Sequence, residues 1–241
     1  MFKGHQHVPA HRFGRRTALL GSLATLAACA PTAGLTPAPF RLDGENIGYM
    51  LFEAPIVPTT ADYFQNDIDK MLALNAREIH IGISSPGGVI SSGEQMIACM
   101  DRIHTESGVV FVTHNVGVVA SAACYVFLAG QRRYSVPKGT FLFHEAGVQT
   151  NGVLTGQNLQ EASVQLKLHE DSFLRLLKSR TRLTDGEALS FVRRTVILTT
   201  DEARRDGIIE ATADFKVPPG TPAIIISIKP AASTRPGAPQ D

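Results

Sequence analysis

No aspartate or glutamate occurs before Asp43. That stretch therefore lacks the mixed charge of a folded surface. It also lacks a long apolar run: Ala18 to Leu26 is interrupted by Gly21, Ser22 and Thr25. This falls short of the roughly 20 apolar residues of an ordinary membrane-spanning helix. The formal net charge of the whole chain is only +1, which excludes a basic nucleic-acid footprint. His80, His104, His114 and His169 show no metal-ligand spacing such as His-Glu-x-x-His, so no metal and no cofactor is implied. The Gly-x-Ser-x-Gly elbow of α/β-hydrolases is missing too, because Val119 and Ala123 flank Ser121 where glycines would stand.

What the amino end does contain is an export pattern. Lys3, Arg12, Arg15 and Arg16 precede the short apolar run, as in the n-region and h-region of a signal peptide. Arg15-Arg16 is a twin-arginine pair, with Gly14 where that signal usually has Ser or Thr. The run ends in Leu26-Ala27-Ala28-Cys29, which resembles a lipobox and makes Cys29 the expected lipidated residue. A plain signal peptide with an incidental cysteine, or an uncleaved anchor, is the alternative. Without the four cations of residues 1–28, the charge falls from +1 to −3, a mildly acidic exported domain. The expected organisation is a signal segment over 1–29, a Pro-containing linker over 30–42, one domain over 43–215, and a Pro-rich tail over 216–241 with one strand at 224–228. The expected location is the periplasm or cell envelope, held by a lipid anchor. Cys99 and Cys124 read as buried small hydrophobes, with a disulfide as the alternative.

The body alternates strand and helix. Strands are expected at 47–52, 78–84, 109–114, 133–136 and 140–143, and helices at 60–75, 92–103, 122–129, 155–180, 184–192 and 201–206. Thr184-Asp185-Gly186-Glu187 spells a capping box. The long helix carries Leu159, Val164, Leu166, Leu168, Phe173, Leu174 and Leu177 as one apolar face. Alternation of this kind implies an α/β fold with parallel pairing and a crevice at the carboxyl ends of the strands. Successive strand-turn-helix segments suggest repeated ββα-type units.

Two chemical features fall at such ends. Pro86-Gly87-Gly88 closes one strand, and its glycines allow a backbone N–H to be aimed at developing negative charge. Ser121 follows a Gly-Val-Val-Ala turn and opens a helix of small residues, where the Ala122 amide is free of intrahelical bonds. Taken alone, these are a tight turn and an N-cap serine. His144, at the end of an apolar strand, is the base that would take the Ser121 proton, with His114 as its rival.

The segments Ser85-Pro86-Gly87-Gly88-Val89-Ile90, Gly117-Val118-Val119-Ala120-Ser121-Ala122, Val136-Pro137-Lys138-Gly139-Thr140-Phe141-Leu142-Phe143-His144 and Leu198-Thr199-Thr200-Asp201-Glu202-Ala203 occur in this order. Together with Gly207-Ile208-Ile209-Glu210 they resemble the proteolytic subunit of Clp protease (ClpP), of the ClpP/crotonase superfamily, over most of residues 45–212. The resemblance implies a ClpP/crotonase-like fold with a long handle helix at 155–180 through which rings stack. It implies Ser121 as nucleophile, His144 as base, and Gly88 and Ala122 as oxyanion donors. It also implies a homo-oligomer acting on peptides or unfolded segments. Where the family has its catalytic aspartate this chain has Thr195, which cannot stabilise imidazolium as a carboxylate does. A Ser-His dyad, a substitute acid, or a non-catalytic peptide-binding or ring-forming scaffold all remain open. An exported domain meets no ATP, so no Clp ATPase partner is expected. A signal-peptide peptidase of the SppA kind shares the superfamily but uses a Ser-Lys pair, and Lys138 and Lys167 do not sit in its motif. A crotonase-type acyl-CoA enzyme is disfavoured by the same export.

Overall fold

A computed structural model describes residues 42–148 and 155–227 of the chain. The signal segment, Cys29, most of the linker and residues 228–241 lie outside the described residues. In chain order the first elements are β1 (Ile47–Glu53), α1 (Pro58–Ala73), β2 (Glu78–Ser85), α2 (Ile90–Ser107), β3 (Val110–Ala120) and α3 (Ala122–Ala129). Then come β4 (Arg132–Ser135), β5 (Thr140–Phe143), α4 (Gly156–Arg180), α5 (Asp185–Arg193), β6 (Val196–Thr199), α6 (Thr200–Arg205), β7 (Ala211–Thr212) and β8 (Ile224–Ser227). The main sheet runs β6-β5-β3-β2-β1-β8, with β4 joined to β3 and β7. All pairings are parallel except β5 with β6. This is the α/β class expected from strand-helix alternation.

Period-two alternation assigns the two faces of β2. Ile79, Ile81 and Ile83 are buried in the core that also takes Met96, Met100 and Ile103 of α2. His80 and Gly82 project from the opposite face.

Three local expectations are corrected. The stretch Gly117–Ala120, read as a turn, is strand: Ser85 pairs with Val119 after an irregularity in β2, and Val118–Ala120 pair with Thr140–Leu142. One long β3 thereby binds β4 with its first half and β5 with its second. Along α4 only Phe173 and Leu177 are buried, while Leu159, Val164 and Leu168 are 53%, 54% and 62% exposed. Among the described residues no element buries the amino-terminal half of that helix. In α1 the N-cap is Val57 with Pro58 at the first helical position, and Thr60 accepts the Val57 N–H from within the first turn. The short strands β6 and β7 were not anticipated.

The expected Thr184 capping box forms, and Thr199 with Glu202 makes a second one. Cys99 and Cys124 are buried free thiols, and burial pushes the Cys124 thiol far up.

Arg133 of β4 ties distant segments together. Its buried guanidinium donates to the carbonyls of Gly130, Arg180, Gly207 and Ile208 at 2.7–3.3 Å. Desolvation lowers its pKa, so the carbonyls must hold a charge that burial disfavours. Arg133→Ala leaves those acceptors bare and is expected to cost about 3 kcal/mol or more. Denaturant unfolding measures it, and a loss below about 1 kcal/mol would contradict the tie.

Candidate active site

The site is assembled from turns at the carboxyl ends of β2, β3 and β5. Ser85 begins the first turn: its hydroxyl donates to the Ala54 carbonyl at 2.7 Å and accepts from the Gly87 N–H at 3.2 Å. Gly87 and Gly88 have φ of 85° and 149°. A Cβ on Gly88 would collide with the Ile56 carbonyl oxygen, and one on Gly87 would lie 2.7 Å from the Ser121 Cβ. Glycine is therefore required by conformation and by close approach at both positions. Ile56 donates to the Gly87 carbonyl, and Val89 donates to the Ile56 carbonyl, each at 2.8 Å. The Gly88 N–H itself has no partner among the described residues.

Ser121 is held at φ 53° and ψ −125°, a sparsely populated conformation for a residue with a Cβ, costing about 1–3 kcal/mol. This is a strained strand-to-helix elbow built without its usual flanking glycines. The Ser121 N–H donates to the Leu142 carbonyl at 2.8 Å, two residues before His144. That bond fixes the serine relative to the end of β5. Ala122, the first residue of α3, has an N–H with no intrahelical partner. Its seven successors are all buried, so the position of the helix is set by packing.

Phe143 is buried against Phe173 and Phe191, so the next side chain along, His144, emerges on the exposed side. Ser121 and His144 line one cavity of about 640 Å³, together with Gly88, Val89, Ile90 and His169. No hydrogen bond joins the serine hydroxyl to the imidazole. Instead His144 Nδ1–H donates to the Glu145 carbonyl at 2.7 Å. A carbonyl only accepts, so Nδ1 carries a proton, and in the neutral tautomer this leaves the lone pair on Nε2. That is the tautomer needed to accept a proton from a hydroxyl.

Thr195 lies where the antiparallel register, Phe143 with Val196, places it opposite His144. It is exposed and makes no hydrogen bond to the ring. Among the described residues no carboxylate hydrogen-bonds the His144 ring.

His114 does not belong to this cavity. It is 5% exposed and packs on His80, Tyr134 and Phe215. Lys138 and Lys167 do not line the cavity either, and Lys167 pairs with Asp171. Among the described residues no three His, Cys, Asp or Glu side chains are grouped to hold a metal ion. The sequence reading missed the presence of His169 in the cavity. Its signal was the spacing His169, Phe173, Leu177, which puts it on the buried stripe of α4.

The arrangement offers a strained serine and an imidazole on one crevice, with the unpartnered Gly88 amide lining it and the Ala122 amide next to the serine in the chain. The solved structure of a ClpP1 mutant from Listeria monocytogenes superposes with a TM-score of 0.59 at 18% identity, over 70% of this chain and 92% of that one. At that identity the likeness establishes the fold. The sequence profile described as Clp protease matches residues 51–215, well over half of the chain, and on that match the chain belongs to the Clp protease family.

Proposed function

We propose that this protein is a ClpP-like serine peptidase. Ser121 attacks the peptide carbonyl, His144 Nε2 takes its proton and returns it to the leaving amine, and the Gly88 and Ala122 amides hold the oxyanion. The observation that supports this most is the strained Ser121 backbone opening onto the cavity it shares with His144. Residues in sparse backbone conformations cluster at active sites. The Glu145 carbonyl orients the imidazole but brings no charge to stabilise imidazolium. A fluorophosphonate probe is expected to label the native protein and not Ser121→Ala. Equal labelling of both would remove Ser121 from the mechanism.

A second reading, a catalytically silent scaffold that binds peptides or assembles rings, is favoured by Thr195 at the third position. It predicts no labelling of a folded oligomer. In both readings the substrate is a peptide or an unfolded segment, the protein assembles with copies of itself, and no Clp ATPase takes part.

The amino-terminal pattern supports an envelope location through lipid on Cys29. Several acyl chains are needed, because one binds membranes only marginally. Metabolic labelling with a fatty acid should mark the protein and fail for Cys29→Ser. Labelling of both alike would place the lipid elsewhere.

A further inference from the structure

His144 is not the only imidazole in the cavity. His169 projects from α4, one turn before buried Phe173 and two before Leu177, where the inward stripe of the helix reaches the open crevice. Its Nδ1 meets Glu94 Oε1 at 3.1 Å. Glu94 lies one turn into α2, just after Ile90 and Ser91 of the cavity lining. The carboxylate accepts, so His169 Nδ1 carries the proton, and Nε2 has no partner among the described residues. The ring is thus held by a charge on one edge and faces the cavity with a hydrogen-bonding atom.

The charge balance has a direction. Among the described residues that line the cavity there is no Lys or Arg. Glu94 lies immediately behind His169, with side chains 33% and 25% exposed. Glu145, exposed, adjoins His144. Glu170 is already compensated by Arg193 at 2.7 Å. Arg175 shares a groove with Glu94 on its other side but is not within ion-pair distance of it. The wall facing a bound substrate is therefore an imidazole edge that, in its Nδ1–H tautomer, presents Nε2 as an acceptor, backed by a carboxylate with no Lys or Arg in ion-pair distance among the described residues. Opposite charges attract strongly enough in such a partly enclosed site to discriminate side chains.

We propose that the His169–Glu94 pair selects substrates for this cavity, favouring peptides with a basic side chain, lysine or arginine, beside the scissile bond over those with an aliphatic or acidic one. The inference rests on the Ser121 cavity being where the peptide lies. His169 makes the contact, and Glu94 is a positioning residue that also supplies the charge.

The test separates binding from chemistry. The Ser121→Ala protein is titrated with fluorescent peptides that differ at one position, Arg, Leu or Glu. The Arg peptide is expected to bind about tenfold tighter than the Leu peptide, and the Glu peptide weakest. Adding Glu94→Gln, whose amide oxygen still accepts from His169 Nδ1–H, should bring the Arg-to-Leu ratio near one. Adding His169→Ala should do the same, whereas a purely structural defect would weaken all three peptides alike. Equal or reversed ratios in the Ser121→Ala protein would overturn the proposal, as would a ratio unmoved by Glu94→Gln. Fluorophosphonate labelling of the native protein tests the peptidase reading separately, so an inactive binder and a wrong selector give different results.

Discussion

Ser121→Ala is expected to abolish covalent labelling and to lower peptide turnover by between about a hundredfold and a millionfold, with KM little changed. The range follows from how triad members depend on each other. Removing the nucleophile or the histidine of a full triad costs about a millionfold, whereas removing the acid alone costs about ten-thousandfold. A chain that already lacks the acid has less left to lose. A drop near a hundredfold would mean that the Glu145 carbonyl gives His144 little more than an orientation. A drop near a millionfold would mean that a neutral acceptor at 2.7 Å replaces most of what a carboxylate does. Turnover and labelling that survive the substitution would exclude Ser121 as the nucleophile. The residual activity of the variant should be that of binding and the two amides alone.

Acidification from pH 6.5 to 4 is expected to destabilise the fold by about 3 kcal/mol through His114. Burial first, then the neighbouring His80 and Arg132, pushes the His114 pKa down to about 4 from its ordinary 6.5. The hydrogen bonds explain why the ring stays neutral. Glu78 Oε1 accepts from His80 Nε2–H at 2.6 Å, so in a neutral ring His80 Nδ1 is an acceptor, and it takes His114 Nε2–H at 3.0 Å. That leaves His114 Nδ1 as a buried lone pair without a donor. A proton there would have no acceptor among the described residues, beneath Tyr134 and Phe215, with Arg132 bound to Glu78 at the far end of the chain of bonds.

Because the folded pKa is the lower one, the unfolded chain takes the proton first. Stability is whole above about pH 6.5, falls as pH drops toward 4, and falls no further on this account below it. Glu187 and Glu202 also lose their caps in acid, since the Thr184 hydroxyl and the Thr199 N–H, respectively the leading causes, hold their pKa values down. A double difference removes them: the native protein and His114→Gln are each unfolded by denaturant at pH 7 and pH 4. The variant should be less stable at pH 7 and show a smaller acid loss. Parallel losses in both proteins would mean that His114 is not the titrating group.

How far the sequence reached depended on whether a feature is local. Glycines that must take positive φ, the Thr184 box, and the small residues of α3 are demands of a few neighbouring residues, so they were legible. So were Ser121 and His144 as residues able to meet, because each ends a strand in a recognisable order. The continuation of β3 through Gly117 was not legible, because only pairing with Ser85 and with β5 holds those residues extended. Nor was the exposure of the first half of α4 among the described residues: a periodic apolar stripe states that a face wants burial, and says nothing of what covers it.

By itself, then, the sequence determined the alternation of strand and helix, the glycine turn after β2, and the absence of an acid at position 195. The tertiary structure alone decided which side chains share a space. His144 sharing a cavity with Ser121, His169 entering that cavity with Glu94 behind it, and His114 buried in a stack of rings all join residues distant in the chain. Their proximity is set by sheet register and helix packing, which depend on the whole core at once.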